Sequence, residues 1–490
     1  MGGLVGKFAN ARVVANVVVF GFVAAAASAF GVVAQMSPAD ASGCGTQTAW
    51  TTFGFDNART GVNPCETTLS TATVPNLHLL WTAPLSGVSV AQPTYAPGIV
   101  VKGVARNLLF VADEQGHVQA IDTATGKWVW RRTVGVHRST CFDVPGGRWG
   151  ASAAPLLDPA TGTGYVVGGG DRLFAIDLAT GRNKVGWTPV TIGKAIVDHV
   201  YGALTMSAGV LYVTTASYCD QGTYFGKVVA VSVATHSILK TWNVVDPNLN
   251  PGQYGGGIWG PGGVSVDNAN GAVYAATGNA LPGENTGYGD QVVRLDPSLN
   301  VQAANYTALV GTDVDYGATP LLFQPPGCPA MLAAKNKSGV LVVYNRDNLT
   351  AGPIQTIQIG DPTNDQFNGI PAYSSAQNMV YVTNSSQSPD LTYAPGMVAF
   401  QVQPDCTLSE AWHQDVGLNG QSVTPPTVAN GVVYEGDGPD NTLWAFDAQT
   451  GAHLWDSGTS VQGMIFAAPT VVDGHVYAAA WDGNLYAFGT

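Results

Sequence analysis

The residues best suited to chemistry lie between Gly255 and Lys337. This stretch contains a glycine-rich run, then Ala276-Thr-Gly-Asn279, then Thr312-Asp-Val-Asp315-Tyr-Gly317, and then Lys337-Ser-Gly339. Elsewhere the chain repeats one structural unit, whereas this stretch adds polar groups that a scaffold of strands and turns does not need. We therefore expect any catalytic or binding site to lie here.

Asp313 and Asp315 flank a single valine, and neither has a Lys or Arg beside it in the sequence. Two close carboxylates without a compensating charge lower the stability of the fold unless a cation occupies the site. The pair therefore indicates a local acidic centre that binds a cation. The structural alternative is that Asp315 caps the end of a strand.

The elements that must position these residues are copies of one repeat. The copy from Ala120 to Trp130 reads Ala-Ile-Asp-Thr-Ala-Thr-Gly-Lys-Trp-Val-Trp, and it recurs from Ala175 to Trp187 and from Ala445 to Trp455. In each copy we expect the Asp to accept backbone amides across a tight turn and the Gly to take the positive φ that closes it. The Trp would cover the seam to the next unit. These residues are structural rather than catalytic.

Weaker copies of the repeat fill the gaps, and each ends a set of Val- and Tyr-rich strands. They contain Ala230-Val-Ser232, Arg294-Leu-Asp296, Val343-Tyr-Asn345 and Ala399-Phe-Gln401. The last copy, Ala487-Phe-Gly-Thr490, lacks an outer Trp strand, whereas Leu77–Trp81 reads as an outer strand without a blade. Joining the two closes a ring and removes its exposed edges.

The sequence thus predicts an all-β fold. We expect an eight-bladed β-propeller of four-stranded antiparallel blades over residues 77–490, whose last blade is closed by an N-terminal strand. No stretch has a helical periodicity long enough for a separate helical domain. Residues 42–76 would form an N-terminal lead-in to the propeller.

Residues 1–41 have the pattern of a secretion signal. Lys7 and Arg12 precede an uncharged run rich in Val and Ala, and Ala39-Asp-Ala41 places small residues at the spacing that a signal peptidase recognises. An uncleaved membrane anchor is the alternative, because the apolar run is long enough to span a bilayer. We expect a secreted or cell-envelope protein in either case.

Charge and cysteine content restrict the classes of function. The formal net charge is −13, which argues against nucleic acid or an anionic membrane surface as a partner. Only 11% of the residues are charged and 61 are Gly, as in secreted, turn-rich β proteins. An even number of cysteines in an exported chain favours disulfides, although sequence alone leaves their connectivity open. Their positions suggest the pairs Cys44–Cys65, Cys141–Cys219 and Cys328–Cys406.

From Leu77 to Thr490 these repeats resemble the propellers of the pyrroloquinoline quinone (PQQ) dehydrogenases, the eight-bladed quinoprotein alcohol dehydrogenase family. The run from Gly260 to Asn279 looks most like polyvinyl alcohol dehydrogenases. The repeat alone says little about chemistry, because propellers that only bind proteins share it. The central stretch therefore carries the functional interpretation.

The resemblance implies a role for each of several residues. Asn279 would give its carbonyl oxygen to Ca²⁺, and Asp315 would be a metal ligand and the catalytic base. Lys337, in a Lys-x-Gly turn, would contact the quinone beside the reacting atoms, and Trp259 would lie flat under it. Arg148 would hold the quinone carboxylates. The structural alternatives are a turn role for Asn279 and Lys337 and inter-blade packing for Trp259.

The chain also departs from the family pattern. The Ca²⁺-binding Glu of the third blade is missing, and Thr215–Gly222 offers only Asp220 or Gln221 as a ligand. Cys141 is followed by Phe142, so the adjacent pair of cysteines beside the quinone is missing as well. Gly317 stands where lanthanide-dependent relatives have an additional Asp, which favours Ca²⁺ over a trivalent ion.

The implied function is an exported quinoprotein that oxidises a small or polymeric alcohol with PQQ and Ca²⁺. Electrons would pass to an external acceptor such as a separate cytochrome c, because the sequence has no Cys-x-x-Cys-His haem motif. The alternative is a propeller without cofactor that serves as an extracellular scaffold or binding module. The absence of the Glu and of the adjacent cysteine pair favours that alternative. The presence of Asn279, Asp315 and Lys337 opposes it. Hydrolytic chemistry has little support, because there is no nucleophile elbow.

Overall fold

The computed structural model describes residue 44 and residues 47–141, 145–283, 286–307, 314–363, 369–417, 424–438 and 440–490. The expected signal segment, residues 1–41, lies outside this part of the chain, as does Asp313. The described residues contain no α-helix, and none of their helices is long and apolar enough to cross a membrane. Short 3₁₀ helices occur at Val74–Asn76, Pro145–Gly147, Tyr218–Asp220 and Arg346–Ala351.

Over the described residues the strands form eight antiparallel sheets in chain order, which we call blades 1 to 8. Blades 1 and 2 contain Thr94–Val101, Val104–Asp113, His117–Asp122 and Lys127–Thr133, then Leu156–Asp158, Thr163–Gly168, Arg172–Asp177 and Val190–Thr191. Blades 3 and 4 contain Thr205–Ser207, Val210–Thr215, Lys227–Ser232 and Ile238–Asn243, then Ser265–Val266, Val273–Ala276, Gln291–Leu295 and Val301–Tyr306.

The second half of the ring repeats this arrangement. Blades 5 and 6 contain Leu321–Phe323, Met331–Lys335, Val340–Asn345 and Gln355–Gln358, then Ala372–Ser374, Met379–Asn384, Gly396–Val402 and Leu408–Asp415. Blades 7 and 8 contain Thr427–Ala429, Val432–Gly436, Leu443–Asp447 and His453–Asp456, then Thr470–Val472, His475–Ala479, Asn484–Gly489 and His78–Pro84. The predicted fold class is confirmed.

Three short strand pairs supplement the blades. Val62–Asn63 runs parallel to the first strand of blade 7, Tyr254–Gly255 pairs with Ala280–Leu281, and His137–Arg138 pairs with Arg148–Trp149. All three expected disulfides are present: Cys44–Cys65, Cys141–Cys219 and Cys328–Cys406.

The ring is closed by a strand from the N-terminal side, as expected. His78–Pro84 is the outer strand of blade 8, antiparallel to Asn484–Gly489. An apolar cluster fills the seam between blades 8 and 1 just as others fill the remaining seams, and it includes Tyr477, Ala487, Leu109 and Ile121. The described blades therefore bury both faces of every sheet, and hydrophobic burial stabilises the whole ring.

The repeat motif works as predicted. The indole N–H of Trp130 in blade 1 donates to the carbonyl of Leu178 in blade 2 at 2.8 Å. Gly181 has φ +69°, and a Cβ there would come within 2.5 Å of the Trp130 ring. Trp81 in blade 8 makes the same contact with Gly126 in blade 1, where a Cβ would lie 2.8 Å from the ring. The closing strand is therefore docked by the same device as the other blades.

Residues 50–66 of the lead-in contact the first, innermost strand of every blade. The amides of Tyr95, Leu157, Val266, Leu322, Tyr373 and Val428 donate to the carbonyls of Trp50, Thr51, Asn57, Ala58, Thr60 and Gly61 at 2.7–3.0 Å. In blades 3 and 8 the blade accepts the hydrogen bond instead. The Leu204 carbonyl accepts from the Thr52 hydroxyl, and the Val471 carbonyl accepts from the side-chain amide of Asn63. The lead-in thus satisfies inner edges that a ring of sheets would otherwise leave unpaired.

Two side chains of this segment lie at the centre of the ring. Phe53 packs against residues that come just before the first strands of five blades, Ala154, Ala203, Ala318, Ile370 and Ala468. Arg59 is 1% exposed and donates to the Thr52 hydroxyl at 2.8 Å, to the Phe53 carbonyl at 2.7 Å and to the Leu204 carbonyl at 3.2 Å. Burial lowers the pKa of Arg59 to about 10, so it remains a cation at neutral pH.

Replacing Arg59 by Ala should destabilise the protein strongly. The variant loses the buried hydrogen bonds of the guanidinium group to the Phe53 and Leu204 carbonyls and leaves a cavity, and we expect a loss of about 3 kcal/mol or more. Arg131→Ala is the matched control, since Arg131 is exposed and should change stability by less than about 0.5 kcal/mol. Urea denaturation followed by tryptophan fluorescence measures both. Equal midpoints for the two variants would show that the ring does not depend on the Arg59 side chain.

Candidate active site

The topology of a blade decides which loops meet. Because the strands are antiparallel, the turn between the second and third strands lies at the same end as the connection to the next blade. Asn279 and Lys337 follow the second strands of blades 4 and 5, and Asp315 lies in the connection between these two blades. Trp259 lies in the connection from blade 3 to blade 4. All four therefore lie at one end of the propeller, which we call the site end.

The structure brings Asn279, Asp315 and Lys337 together. Oδ1 of Asp315 accepts a hydrogen bond from the backbone amide of Asn279, and Oδ2 lies 3.0 Å from Nζ of Lys337. The Lys337 amide also donates to the Asp315 carbonyl at 2.9 Å. The three residues are 9%, 2% and 6% exposed, respectively. They form a buried, charged cluster, and removing one partner of such a pair typically costs about 3–5 kcal/mol.

This ion pair corrects the sequence argument about an acidic centre. That argument rested on the lack of a neighbouring cation, but the fold brings Lys337 to Asp315 from the next blade. The Asp315 carboxylate is therefore neutralised without a metal. The second carboxylate of the motif, Asp313, is outside the described residues.

The glycines of this stretch allow backbones to approach closely. A Cβ on Gly278 would lie 2.4 Å from Oδ1 of Asp315 and 3.1 Å from the Gly257 carbonyl. The Gly278 amide donates to that carbonyl at 2.7 Å, and the Gly256 amide donates to the Asn279 carbonyl at 2.7 Å. The glycine-rich run thus holds the Asn279 turn against Asp315, and only Gly fits at position 278 without displacing the carboxylate.

In the third blade, a tyrosine binds the candidate ligand Asp220. Asp220 is exposed, and its Oδ1 accepts a hydrogen bond from the Tyr224 hydroxyl at 2.6 Å. Burial raises the pKa of Tyr224, and the charges of Asp220 and Asp315 raise it further. The phenol therefore lies within reach of the charge of both carboxylates. The Gln221 side chain instead donates to the Thr140 hydroxyl at 3.2 Å, so Asp220 is the better candidate of the two.

An aromatic wall lines the site end next to Trp259. The ring centroid of Tyr218 is 6.2 Å from that of Trp259, 5.7 Å from that of Trp149 and 4.2 Å from that of His199. The disulfide residue Cys141 packs against Trp149 and Tyr218. Burial lowers the pKa of His199 to about 3, so its imidazole is neutral. Sequence reasoning missed His199 and Tyr218, because neither belongs to a recognisable motif.

Two polar atoms of this wall have no hydrogen-bond partner among the described residues. Nε1 of Trp149 and Nε2 of His199 are buried without a hydrogen bond to any described residue. Buried polar atoms are normally paired, and an exception in a native fold often marks a missing ligand or water. A planar, polar ring system fits a wall of this kind.

Arg148 does not join the cluster of Asn279, Asp315 and Lys337. It is half-buried in the two-stranded ribbon beside Trp149, and Nη1 donates to Oε1 of Gln115 at 2.8 Å. The expected role in holding quinone carboxylates stays a prediction.

The oxygen donors at the site end suit a hard divalent cation. Asp220 and Asp315 offer carboxylates, and the Asn279 side-chain amide makes no hydrogen bond that the described residues reveal. Ca²⁺ takes about 6–8 oxygen ligands, so a bound group or water would have to complete the set. Within the described ranges, no three His, Cys, Asp or Glu side chains stand close enough to hold a metal by themselves.

Glu114 is a buried acid at the same end, which the sequence did not reveal. It follows the second strand of blade 1, is 1% exposed and accepts a hydrogen bond from the Gly150 amide at 2.8 Å. Burial raises its pKa to about 7, and neighbouring Asp113 adds to the effect. Glu114 thereby connects blade 1 to the segment that carries Trp149.

The chain matches one family model, and its relatives include two alcohol dehydrogenases. The PQQ_2 family, described as outer membrane protein assembly factor BamB, matches residues 78–241 and 361–490. The polyvinylalcohol dehydrogenase of Sphingopyxis sp. (strain 113P3) is 23% identical over 516 aligned positions, covering 90% of this chain and 73% of that protein. The quinohemoprotein alcohol dehydrogenase of Comamonas testosteroni is 26% identical over 344 positions, covering 61% of this chain and 45% of that protein.

The fold is also that of a solved structure. The crystal structure of quinohemoprotein alcohol dehydrogenase from Comamonas testosteroni matches with a TM-score of 0.68 and 18% identity, covering 92% of this chain and 82% of that one. At this level of identity the likeness concerns the fold.

Replacing Glu114 by Gln should change how stability depends on pH. The ordinary pKa of Glu is 4.5 and that of folded Glu114 is about 7, so between these values the folded protein binds more protons than the unfolded chain. Wild-type stability therefore falls as the pH rises through this range, by on the order of 3 kcal/mol from this residue. Gln can still accept the Gly150 amide but does not titrate, so the fall should be smaller in the variant.

Thermal midpoints between pH 5 and pH 8 measure this difference. Asp405→Asn, at an exposed aspartate whose carboxylate binds the Thr407 amide, is the control and should follow the wild-type curve. A Glu114→Gln curve parallel to the wild-type curve would show that the folded protein does not hold Glu114 in its protonated form.

Proposed function

The chain belongs to the PQQ_2 family, as its repeats indicated, and on that premise we propose that it is a quinoprotein oxidoreductase that oxidises an alcohol with PQQ and Ca²⁺. The observation that carries the proposal is the buried cluster of Asn279, Asp315 and Lys337 at the site end. A propeller that serves only as a scaffold does not need a buried carboxylate and lysine there. Such a cluster costs desolvation free energy, and a catalytic role gives a reason for it.

Asp315 is the proton acceptor in this proposal. The Asn279 amide and the Lys337 ammonium group hold its two carboxylate oxygens in a fixed orientation and favour the charged form. Because it is ionised and held in one orientation, the Asp315 carboxylate can accept the proton of an alcohol O–H group. When bound, PQQ would supply the acceptor for the hydride of the alcohol carbon, that is the C–H hydrogen with its electron pair, and Ca²⁺ would supply a Lewis acid.

Other residues of the site end would hold the cofactor and the ion. Trp259 offers a flat, largely buried ring for the quinone plane, and Lys337 and Arg148 offer positive charge for its oxygens. The side-chain oxygens of Asn279, Asp315 and Asp220 would bind Ca²⁺. The sequence has Gly317 two residues after Asp315 and thus lacks a further carboxylate there, which favours Ca²⁺ over a trivalent ion.

The names of the relatives support an alcohol as substrate, and that of the polyvinylalcohol dehydrogenase supports a polymeric or secondary one. Electrons would leave to an external acceptor such as a separate cytochrome c. Three disulfides are consistent with an oxidising compartment. Secretion or attachment to the cell envelope, with residues 1–41 as signal peptide or uncleaved anchor, is part of the proposal, as is the division into a lead-in at 42–76 and a propeller at 77–490.

One observation favours a second function, that of a scaffold or binding module without cofactor. Lys337 lies 3.0 Å from Asp315 and compensates its charge, so this carboxylate does not need a metal ion for that purpose. The same experiments separate the two functions.

Titrating the protein with PQQ should show binding only when Ca²⁺ is present. Quinone absorbance and quenching of tryptophan fluorescence report binding, because Trp259 would contact the quinone. The control uses EDTA in place of Ca²⁺. Wild-type protein that binds no PQQ under either condition would contradict the enzyme proposal and leave the scaffold function.

Asp315→Asn should abolish alcohol oxidation while PQQ still binds. The amide keeps an oxygen for the Asn279 N–H but cannot take the alcohol proton, so we expect a fall in kcat of about 10²–10⁴-fold. Dye-linked oxidation of a secondary alcohol measures the rate, and a PQQ titration measures binding. The control is Asp405→Asn, at an exposed aspartate in the turn between the third and fourth strands of blade 6, at the end opposite the site end, which should leave both unchanged. Full activity in Asp315→Asn would remove Asp315 as the base.

A further inference from the structure

Tyr224 makes an unusual contact for a buried tyrosine at this site. Its side chain is 1% exposed, yet its hydroxyl donates at 2.6 Å to Asp220, which is exposed. A surface carboxylate ordinarily samples several rotamers, and a hydrogen bond from a buried, immobile donor restricts it to one. Tyr224 thus fixes a side chain that solvent alone would leave free.

The backbone holds Tyr224 in register with the Asn279 turn. The Gly255 amide donates to the Tyr224 carbonyl at 2.9 Å, and the Gly226 amide donates to the Gly255 carbonyl at 2.8 Å. The next residue, Gly256, donates to the Asn279 carbonyl at 2.7 Å. The position of the phenol relative to Asn279 is therefore set by main-chain hydrogen bonds, without depending on any flexible side chain.

The turn that carries Asp220 is strained and held from both sides. Cys219 and Asp220 are consecutive non-glycine residues with φ of +50° and +46°. Non-glycine residues adopt this conformation rarely, and it persists only where the surroundings impose it. The disulfide to Cys141 holds one side of this turn, and Tyr224 holds the other.

The strained turn directs the side chains of Asp220 and Gln221 to different partners. Asp220 is directed to the Tyr224 hydroxyl, whereas Gln221 is directed to Thr140. Asp315 is near enough for its charge to act on the same hydroxyl. The turn therefore places the Asp220 carboxylate on the Tyr224 phenol, and the Tyr224 backbone pairs with Gly255, beside the Gly256 amide that binds the Asn279 carbonyl.

We propose that Tyr224 is a positioning residue that presets the Asp220 carboxylate as the third-blade ligand of the Ca²⁺ ion. The inference rests on the proposed function. It adds how Asp220, whose side chain is shorter than the Glu of the family, can act as a ligand. Tyr224 itself touches neither the ion nor the substrate. Its hydrogen bond to one carboxylate oxygen leaves the other oxygen of Asp220 for the cation.

Tyr224→Phe should weaken Ca²⁺ binding by about 10–100-fold, the usual effect of losing a partner that orients a metal ligand. The measurement is calorimetric titration of Ca²⁺ into protein supplied with PQQ. Tyr95→Phe is a matched control, because the Tyr95 hydroxyl donates to Oδ2 of Asp473 at 2.7 Å and its side chain is also 1% exposed. Both variants lose a buried phenol-to-carboxylate bond, but only Tyr224→Phe should change the Kd for Ca²⁺.

A double-mutant cycle tests whether Tyr224 acts through Asp220. Asp220→Ala alone should weaken Ca²⁺ binding, and adding Tyr224→Phe should weaken it no further. A Cys141→Ser/Cys219→Ser variant releases the turn from its other side and should also raise the Kd, which keeps the inference testable if Tyr224→Phe fails to fold.

The outcomes separate the inference from the proposed function. Wild-type protein that binds Ca²⁺ and PQQ, together with a Tyr224→Phe Kd equal to that of Tyr95→Phe, overturns the inference and leaves the proposed function standing. Additive losses in the double variant also overturn it. Wild-type protein that binds neither Ca²⁺ nor PQQ overturns both.

Discussion

The inner edges of a ring of sheets need hydrogen-bond partners from protein or water, and in this protein the lead-in supplies partners. Each blade presents its first strand to the axis of the ring, and the backbone or side chains of residues 50–66 bind one group on each of these strands. Unpaired buried amides would cost about 1–3 kcal/mol each. Arg59 holds the segment together by binding carbonyls from both the lead-in and blade 3. The relative position of the eight blades therefore depends on a segment that precedes all of them.

The candidate site inherits its geometry from this ring. Asn279, Asp315 and Lys337 belong to two blades and the connection between them, and none of the three could reach the others if the seam between blades 4 and 5 opened. That seam is filled by an apolar cluster that includes Tyr274, Tyr316 and Leu332. Tyr316 follows Asp315 directly and is fully buried there, so packing in the seam anchors the carboxylate that pairs with Lys337.

Sequence alone predicted the parts of the fold that repeat. The Asp-x-x-Thr-Gly turn with its Trp recurs often enough to give the number of blades, and Trp81 without a blade indicated how the ring closes. It could not predict the role of the lead-in, because residues 50–66 have no periodicity and their partners are spread over the whole chain. At the site it identified Asn279, Asp315 and Lys337 but not the ion pair between the last two. It missed Tyr224 and His199 for the same reason, since their contacts depend on tertiary structure and not on local spacing.

The two ends of the propeller are under different physical constraints. At the end with the repeat turns, the Asp side chains of the motif bind the backbone of their own turn, as where Asp447 accepts the amides of Gln449 and Thr450. At the site end, atoms of Glu114, His199 and Glu435 are buried without a hydrogen bond to a described residue. Groups of this kind cost stability, and a protein retains them where binding requires them. Phe53 packs among the residues that lead into the first strands and thus closes the axis behind these groups. The repeat end and the lead-in therefore stabilise the ring, and this stability allows the site end to keep buried charges and unpaired polar atoms.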